Sequence, residues 1–125
     1  MFLDPRLLDL LSGTIASVWG VEVLLLMRQQ PQRYWKREDL VSELRSSSLV
    51  VDQSLHQLER GGLVVSDEDG SARFAPATSD LSYLIDQLDV EYRSRPAVVR
   101  RAIVSGSGSK LKSFSDAFLI RKPLE

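Results

Sequence analysis

Residues 51–65 read VDQSLHQLERGGLVV, and the change of pattern at their centre decides the fold. Val51, Leu55 and Leu58 recur at helical spacing, which predicts an amphipathic helix with one buried stripe. Gly61-Gly62 stops that helix, because glycine readily takes the left-handed conformation in which helices end. Leu63-Val64-Val65 follows with no spacer and is the kind of run that predicts a strand. Residues 66–77 then read SDEDGSARFAPA. Asp69-Gly70 is a strong hairpin signal, so Asp67-Glu68-Asp69-Gly70 should join strands at 63–66 and 72–75. Pro76 closes the second strand.

Working outward, residues 36–45 predict a preceding helix with Leu40, Val41 and Leu44 turned inward. Ser46-Ser47-Ser48 forms the turn between the two helices, and Ser47 or Ser48 caps the later one, which runs to about Arg60. Tyr34-Trp35 is a short extended piece. Before it, Pro31 ends a helix over 18–30 that Ser17 caps. Trp19, Val23, Leu26 and Met27 lie near one face of this helix and Leu24 and Leu25 widen it, so a central, well-buried element is expected. Asp4-Pro5 opens a first helix that Ser12-Gly13 should end.

Downstream, Thr78 or Ser79 caps a long helix with Leu81, Leu84, Ile85, Leu88 and Tyr92 on one stripe. Pro96 interrupts it at Arg95, as a kink or as the first turn of a new helix. Val98, Val99, Ala102 and Ile103 carry the apolar face onward. Residues 105–109, SGSGS, read as a flexible linker. Residues 110–121 predict a short amphipathic helix with Leu111, Phe114 and Phe118 on one side.

The stretch REDLVSELRSSSLVVDQSLHQLERGGLV, followed by the Asp-Gly turn, resembles the winged helix-turn-helix of bacterial transcription regulators. Its ending, Leu58-Glu59-Arg60-Gly61-Gly62-Leu63-Val64, carries most of the likeness. The flanking helices are similar to those of the MarR-like and PadR-like groups and do not choose between them. The resemblance implies a mainly α fold with a small β-hairpin wing. Residues 1–35 would be N-terminal helices, 36–77 the winged helix-turn-helix core and 78–125 a C-terminal helical extension, all in one compact domain. It also implies a dimeric regulator that binds duplex DNA, with the homodimer formed through the terminal helices. The third core helix would enter the major groove. Ser47, Ser48, Val50, Gln53, His56, Gln57, Arg60 and Arg73 are then the expected nucleic-acid contacts. Gln matches an adenine edge, while Ser and His bond to bases or phosphates.

Charge complicates this expectation. No Lys or Arg lies between Ser46 and Gln57, Asp52 falls close to the outward face, and the turn carries Asp67, Glu68 and Asp69. Carboxylates near phosphates repel and release no counterions. Residues 92–122 hold eight Lys/Arg against one acid, Asp116. Arg93, Arg95, Arg100, Arg101, Lys110 and Lys112 are therefore the expected anion- or partner-binding cluster, whether for phosphate or for an acidic surface of a partner. The alternative function is a winged-helix protein-interaction module that binds no DNA.

No catalytic, metal or cofactor site is expected. His56 is the single histidine and there is no cysteine, which rules out a multi-histidine or thiolate metal site. Asp52 and His56, one helical turn apart, suggest a surface pair and not a catalytic one. The Ser-Gly stretch before Lys110 lacks phosphate-loop spacing. At 125 residues and 43% hydrophobic, the chain fits one domain with a proper core. No apolar run approaches the roughly 18 residues of a membrane span, and Asp4 and Asp9 break the pattern of a signal peptide, so a cytoplasmic protein is expected.

Overall fold

The computed structural model describes residues 3–104. It is mainly helical, with one small two-stranded antiparallel sheet. The linker and helix expected over 105–121, including Lys110 and Lys112, lie outside the described residues.

Helix α1 spans Pro5–Leu10, and the Asp4 carboxylate accepts from Arg6 N–H at 2.8 Å. The helix does not end at Ser12-Gly13. It continues as a π-helical turn, Leu11–Ile15, and stops on Ala16 in the left-handed region at φ 53°. Burial explains the extra turn, because Leu11 and Ile15 are both fully buried. Ser17 then caps α2, Val18–Gln29, its hydroxyl accepting from Gly20 N–H at 2.9 Å. Val23, Leu24 and Met27 are buried as expected, but Trp19 is 40% exposed and Leu25 and Leu26 are only half-buried. Gly20 and Val21 take the inner positions instead. A Cβ on Gly20 would lie 2.9 Å from Ile15 Cγ2, so the helix rests directly on Ile15 and turns Trp19 outward.

Trp35 is extended and pairs as an antiparallel bridge with Ala72, exchanging bonds of 2.7 and 2.9 Å. Its ring is buried beneath the Arg33 guanidinium, 3.6 Å from the ring centroid. Helix α3, Arg37–Leu44, buries Leu40 and half-buries Val41 and Leu44. Arg45 turns the chain at φ 53°. Ser47 caps α4, Ser48–Arg60, its hydroxyl accepting from Val50 N–H at 3.2 Å. Val51, Leu55 and Leu58 are buried, and Ser54 joins them.

The end of α4 is a Schellman turn. Leu63 N–H donates to Leu58 C=O at 2.9 Å and Gly62 N–H to Glu59 C=O at 3.1 Å, with Gly62 at φ 77°. Leu58 and Leu63, the two residues this turn brings together, are both 0% exposed. Strand β1, Val64–Ser66, starts at once and pairs with β2, Ala72–Phe74, in the register Val64↔Phe74, Val65↔Arg73 and Ser66↔Ala72. Thr78 caps α5, Ser79–Ser94, which buries Leu84, Ile85 and Leu88. The chain breaks at Arg95 and is helical again over residues 96–104 (α6), with Pro96 in its first position and Val99 and Ile103 buried. Among the described residues, no single helix is long and apolar enough to cross a membrane.

The left-handed position at Gly62 yields a prediction. A side chain there is strained at that φ, and an added Cβ would also meet Ala77 Cβ at 3.3 Å. Gly62→Ala should therefore lower unfolding free energy by about 1–2 kcal/mol, read as a lower urea midpoint at unchanged slope.

Candidate functional site

Helix α4 buries one stripe and leaves the rest of its circumference to solvent or to light cover. With Val51, Ser54, Leu55 and Leu58 inside, the opposite line is Leu49, Gln53, His56 and Arg60, all exposed. Ser48, Asp52 and Glu59 flank that line toward the hairpin. Val50 and Gln57 flank it toward α2.

The expected contact residues distribute over this geometry unevenly. Gln53, His56, Gln57 and Arg60 come together on and beside the outer line. Ser48 is exposed at the start of the helix, beside α3. The Ser47 hydroxyl is held in the cap. Val50 is half-buried, and it is Leu49, 65% exposed, that presents an apolar side chain at this end. Helical spacing could have shown this, because Leu49 is two residues from Val51 and falls opposite the buried stripe. Arg73 lies apart on β2, stacked 5.4 Å over the Tyr34 ring.

Asp52 does not pair with His56. Arg37, at the start of α3, takes its carboxylate through Nε and donates from Nη1 to Gly70 C=O at 3.1 Å. A guanidinium with two neighbouring acceptors outcompetes an imidazole a turn away. Glu59 is also engaged, accepting from Ser66 Oγ at 3.2 Å. In the hairpin turn, Asp67 accepts from Asp69 N–H at 3.0 Å and Ser71 N–H at 2.9 Å, so this acid shapes the turn itself. Among the described residues, three shallow depressions border α4, the smallest of them at its C-terminal end beside Gly13 and Thr14. The one between α3 and the hairpin turn is lined by Lys36, Arg37, Glu38, Asp52 and Asp69 among others. The one on the α2 side, about 490 Å³ and open to solvent, is lined by Ser17, Trp19, Val50, Gln53, Ser54, His56, Gln57 and Arg60, with no carboxylate.

Among the described residues, half of the expected basic cluster is neutralised by acids of α5. Arg93 Nε donates to Asp89 at 3.1 Å and Arg95 Nε to Glu91 at 2.9 Å, each one turn back along α5. Arg28 of α2 also reaches Asp89 at 2.7 Å and Asp86 at 2.6 Å. Counting charge from residue 92 onward separated these arginines from acids on their own helix. Arg100 and Arg101 stay exposed. The Asp89 side chain is 13% exposed. The hydrogen bond from Arg93, with the positive charge of Arg28 and Arg93 beside it, holds this carboxyl below the usual carboxylate range against the opposing effect of burial. Beside this pair, Tyr92 O–H donates to Glu22. Burial and then that bond push the phenol up, while Arg100 draws it down.

No family model matches the chain, and no curated protein or solved structure matches it.

The Asp89 latch between α2 and α5 predicts a pH dependence. The folded carboxyl is depressed relative to the unfolded one, so its contribution is present above the unfolded value of about 3.9. It is lost as pH falls through the lower folded value. Asp89→Asn should cost about 1–2 kcal/mol at neutral pH, since it strips two guanidiniums of their shared partner. That difference from the parent should shrink under acid, as urea unfolding at neutral and acid pH would show.

Proposed function

We propose that this chain is a winged helix-turn-helix protein that binds duplex DNA and acts as a homodimeric transcription regulator. One observation carries the proposal: α3, a three-residue turn, α4 and the hairpin follow one another with α4 left uncovered along its outer line. The Trp35–Ala72 bridge supports it, adding a third extended segment beside the hairpin and tying the wing to the chain ahead of α3. On this reading α4 enters the major groove and Gln53, His56 and Gln57 face base edges. Arg60, Arg73, Arg100 and Arg101 remain for phosphates, whereas Arg93 and Arg95 are tied to their own helix.

A protein-interaction module is the second reading, and the acidic turn favours it. Glu68 and Asp69 stand exposed at the tip, where a phosphate backbone would meet them. Binding to duplex DNA over a salt series separates the two. The regulator should bind at low salt and lose affinity steeply as salt rises. Arg60→Ala should reduce the log–log slope by about 0.9. A chain that binds no duplex at low salt is not a DNA-binding protein.

The homodimer is tested separately. Tyr83 and Val90 are 50% and 60% exposed, seven residues apart on the outer side of α5, and Leu8 and Val104 add apolar surface on α1 and α6. Val90→Glu should raise the dissociation constant of the dimer about tenfold or more, measured by sedimentation equilibrium, with the far-ultraviolet spectrum unchanged.

A further inference from the structure

Trp19 is a large aromatic side chain that the fold leaves partly uncovered. The chain's other tryptophan, Trp35, is 1% exposed, whereas Trp19 is 40% exposed at the start of α2. Its direction is set by packing on the inner side of that helix, where Gly20 rests on Ile15. It therefore stands at the rim of the depression beside α4, with Gln53, Gln57, His56 and Arg60 along the same wall.

The two sides of α4 offer different chemistry. Three carboxylates, Glu38, Asp52 and Asp69, line the hairpin side against two cations, Lys36 and Arg37, the latter already paired with Asp52. The α2 side has no carboxylate in its lining, and Arg60 there makes no ion pair among the described residues. A polyanion pressed against α4 therefore meets a mixed, net negative lining toward the hairpin and a net positive one toward α2. Within the α2 side, a glutamine amide matches the N6 donor and N7 acceptor of adenine, and the paired thymine presents a C5-methyl group to an apolar side chain.

We infer that the α2 side of α4 reads A·T pairs of duplex DNA from the major groove, with Gln53 and Gln57 on adenine edges and Trp19 against thymine methyl groups. This rests on the DNA-binding reading above and names the ligand class and a residue that reading did not contain. The hairpin side, with its carboxylates, takes no part in base contact.

The test uses the full chain with alternating poly(dA-dT), alternating poly(dA-dU) and alternating poly(dG-dC) at low salt. Affinity and tryptophan emission are both recorded. Poly(dA-dT) should bind most tightly. Poly(dA-dU), which lacks only the methyl groups, should bind about fourfold more weakly for each methyl buried. Emission should change on binding poly(dA-dT), and Trp19→Phe should remove that change. Trp19→Ala should make the thymine and uracil duplexes equivalent, and Gln53→Ala with Gln57→Ala should cost about tenfold in preference for A·T over G·C. Equal binding of the thymine and uracil duplexes by the parent chain, or emission that stays constant while DNA binds, overturns the inference and leaves DNA binding in place. Failure to bind any of the three duplexes overturns both and leaves this surface to a protein partner.

Discussion

The Schellman turn at Gly61-Gly62 is where helix becomes sheet, and the placement of every later element depends on it. Leu63 N–H reaches back to Leu58 C=O, and both leucines are fully buried. Because no loop intervenes, the direction of α4 fixes the direction of β1. The same turn governs the way out of the hairpin. Ala75 N–H donates to Leu63 C=O at 3.0 Å and Ala77 N–H to Gly62 C=O at 2.7 Å. Entry and exit are thus clamped at one point, directly before Thr78 starts α5. On the other side, a Cβ on Gly61 would sit 2.0 Å from Thr14 Cγ2, so the π-helical turn lies against this same junction. One glycine supplies a left-handed φ and its neighbour supplies space, and each role excludes a side chain for a different physical reason.

Charge is sorted around this frame. The acids of α4 and the hairpin face one another and are partly answered by Arg37. Arg37 and Asp52 are 47% and 48% exposed, and an ion pair so open to water adds little stability. Its consequence lies in the field outside the protein: it removes one negative charge and one positive charge from the space in front of α3. Toward α2, Asp89 sits between Arg28 and Arg93, and Tyr92 meets Glu22. There Arg28 and Asp89 are largely shielded, and the Arg28–Asp89 and Tyr92–Glu22 contacts hold α5 on α2. Similar pairs therefore do different work according to their depth.

Much of the local structure was legible in the residues. The caps at Asp4 and Ser17, the buried stripe of α4 and the hairpin follow from short-range rules, which narrowed the caps of α4 and α5, the left-handed glycine and the break at Pro96 to two alternatives each. What was not legible depends on contacts between distant residues. Trp19 looked like core because its size weighs heavily in a periodic pattern, whereas Gly20, which carries no such weight, makes the close approach. The π-helical turn arises because Ile15 must be buried. Arg37 and Asp52 are fifteen residues apart, so neither helix alone reveals their pair. Of the anticipated contact residues, Gln53, His56, Gln57 and Arg60 gather on one wall. Val50 and Leu49 exchange roles, and Trp19 joins from a helix not considered for contact at all.

That redistribution bears on how an almost neutral protein can meet a polyanion. The net charge of −1 offers no general attraction. An evenly mixed surface would then offer none locally either. Here the carboxylates of the hairpin turn and of Glu38 and Asp52 lie to one side of α4, with Lys36 and Arg37 among them, and the α2 wall is left without any carboxylate in its lining. Within about 10 Å, the Debye length at moderate salt, local charge outweighs the sum over the chain. On the proposed DNA-binding reading, the tilt of the docked helix would follow from such an imbalance: contact on the α2 wall would bring Arg60 toward a phosphate and carry Glu68 and Asp69 away from one. On that reading, the acidic turn would be a constraint on geometry and not an obstacle to binding, disfavouring the pose in which hairpin and helix press on the duplex equally.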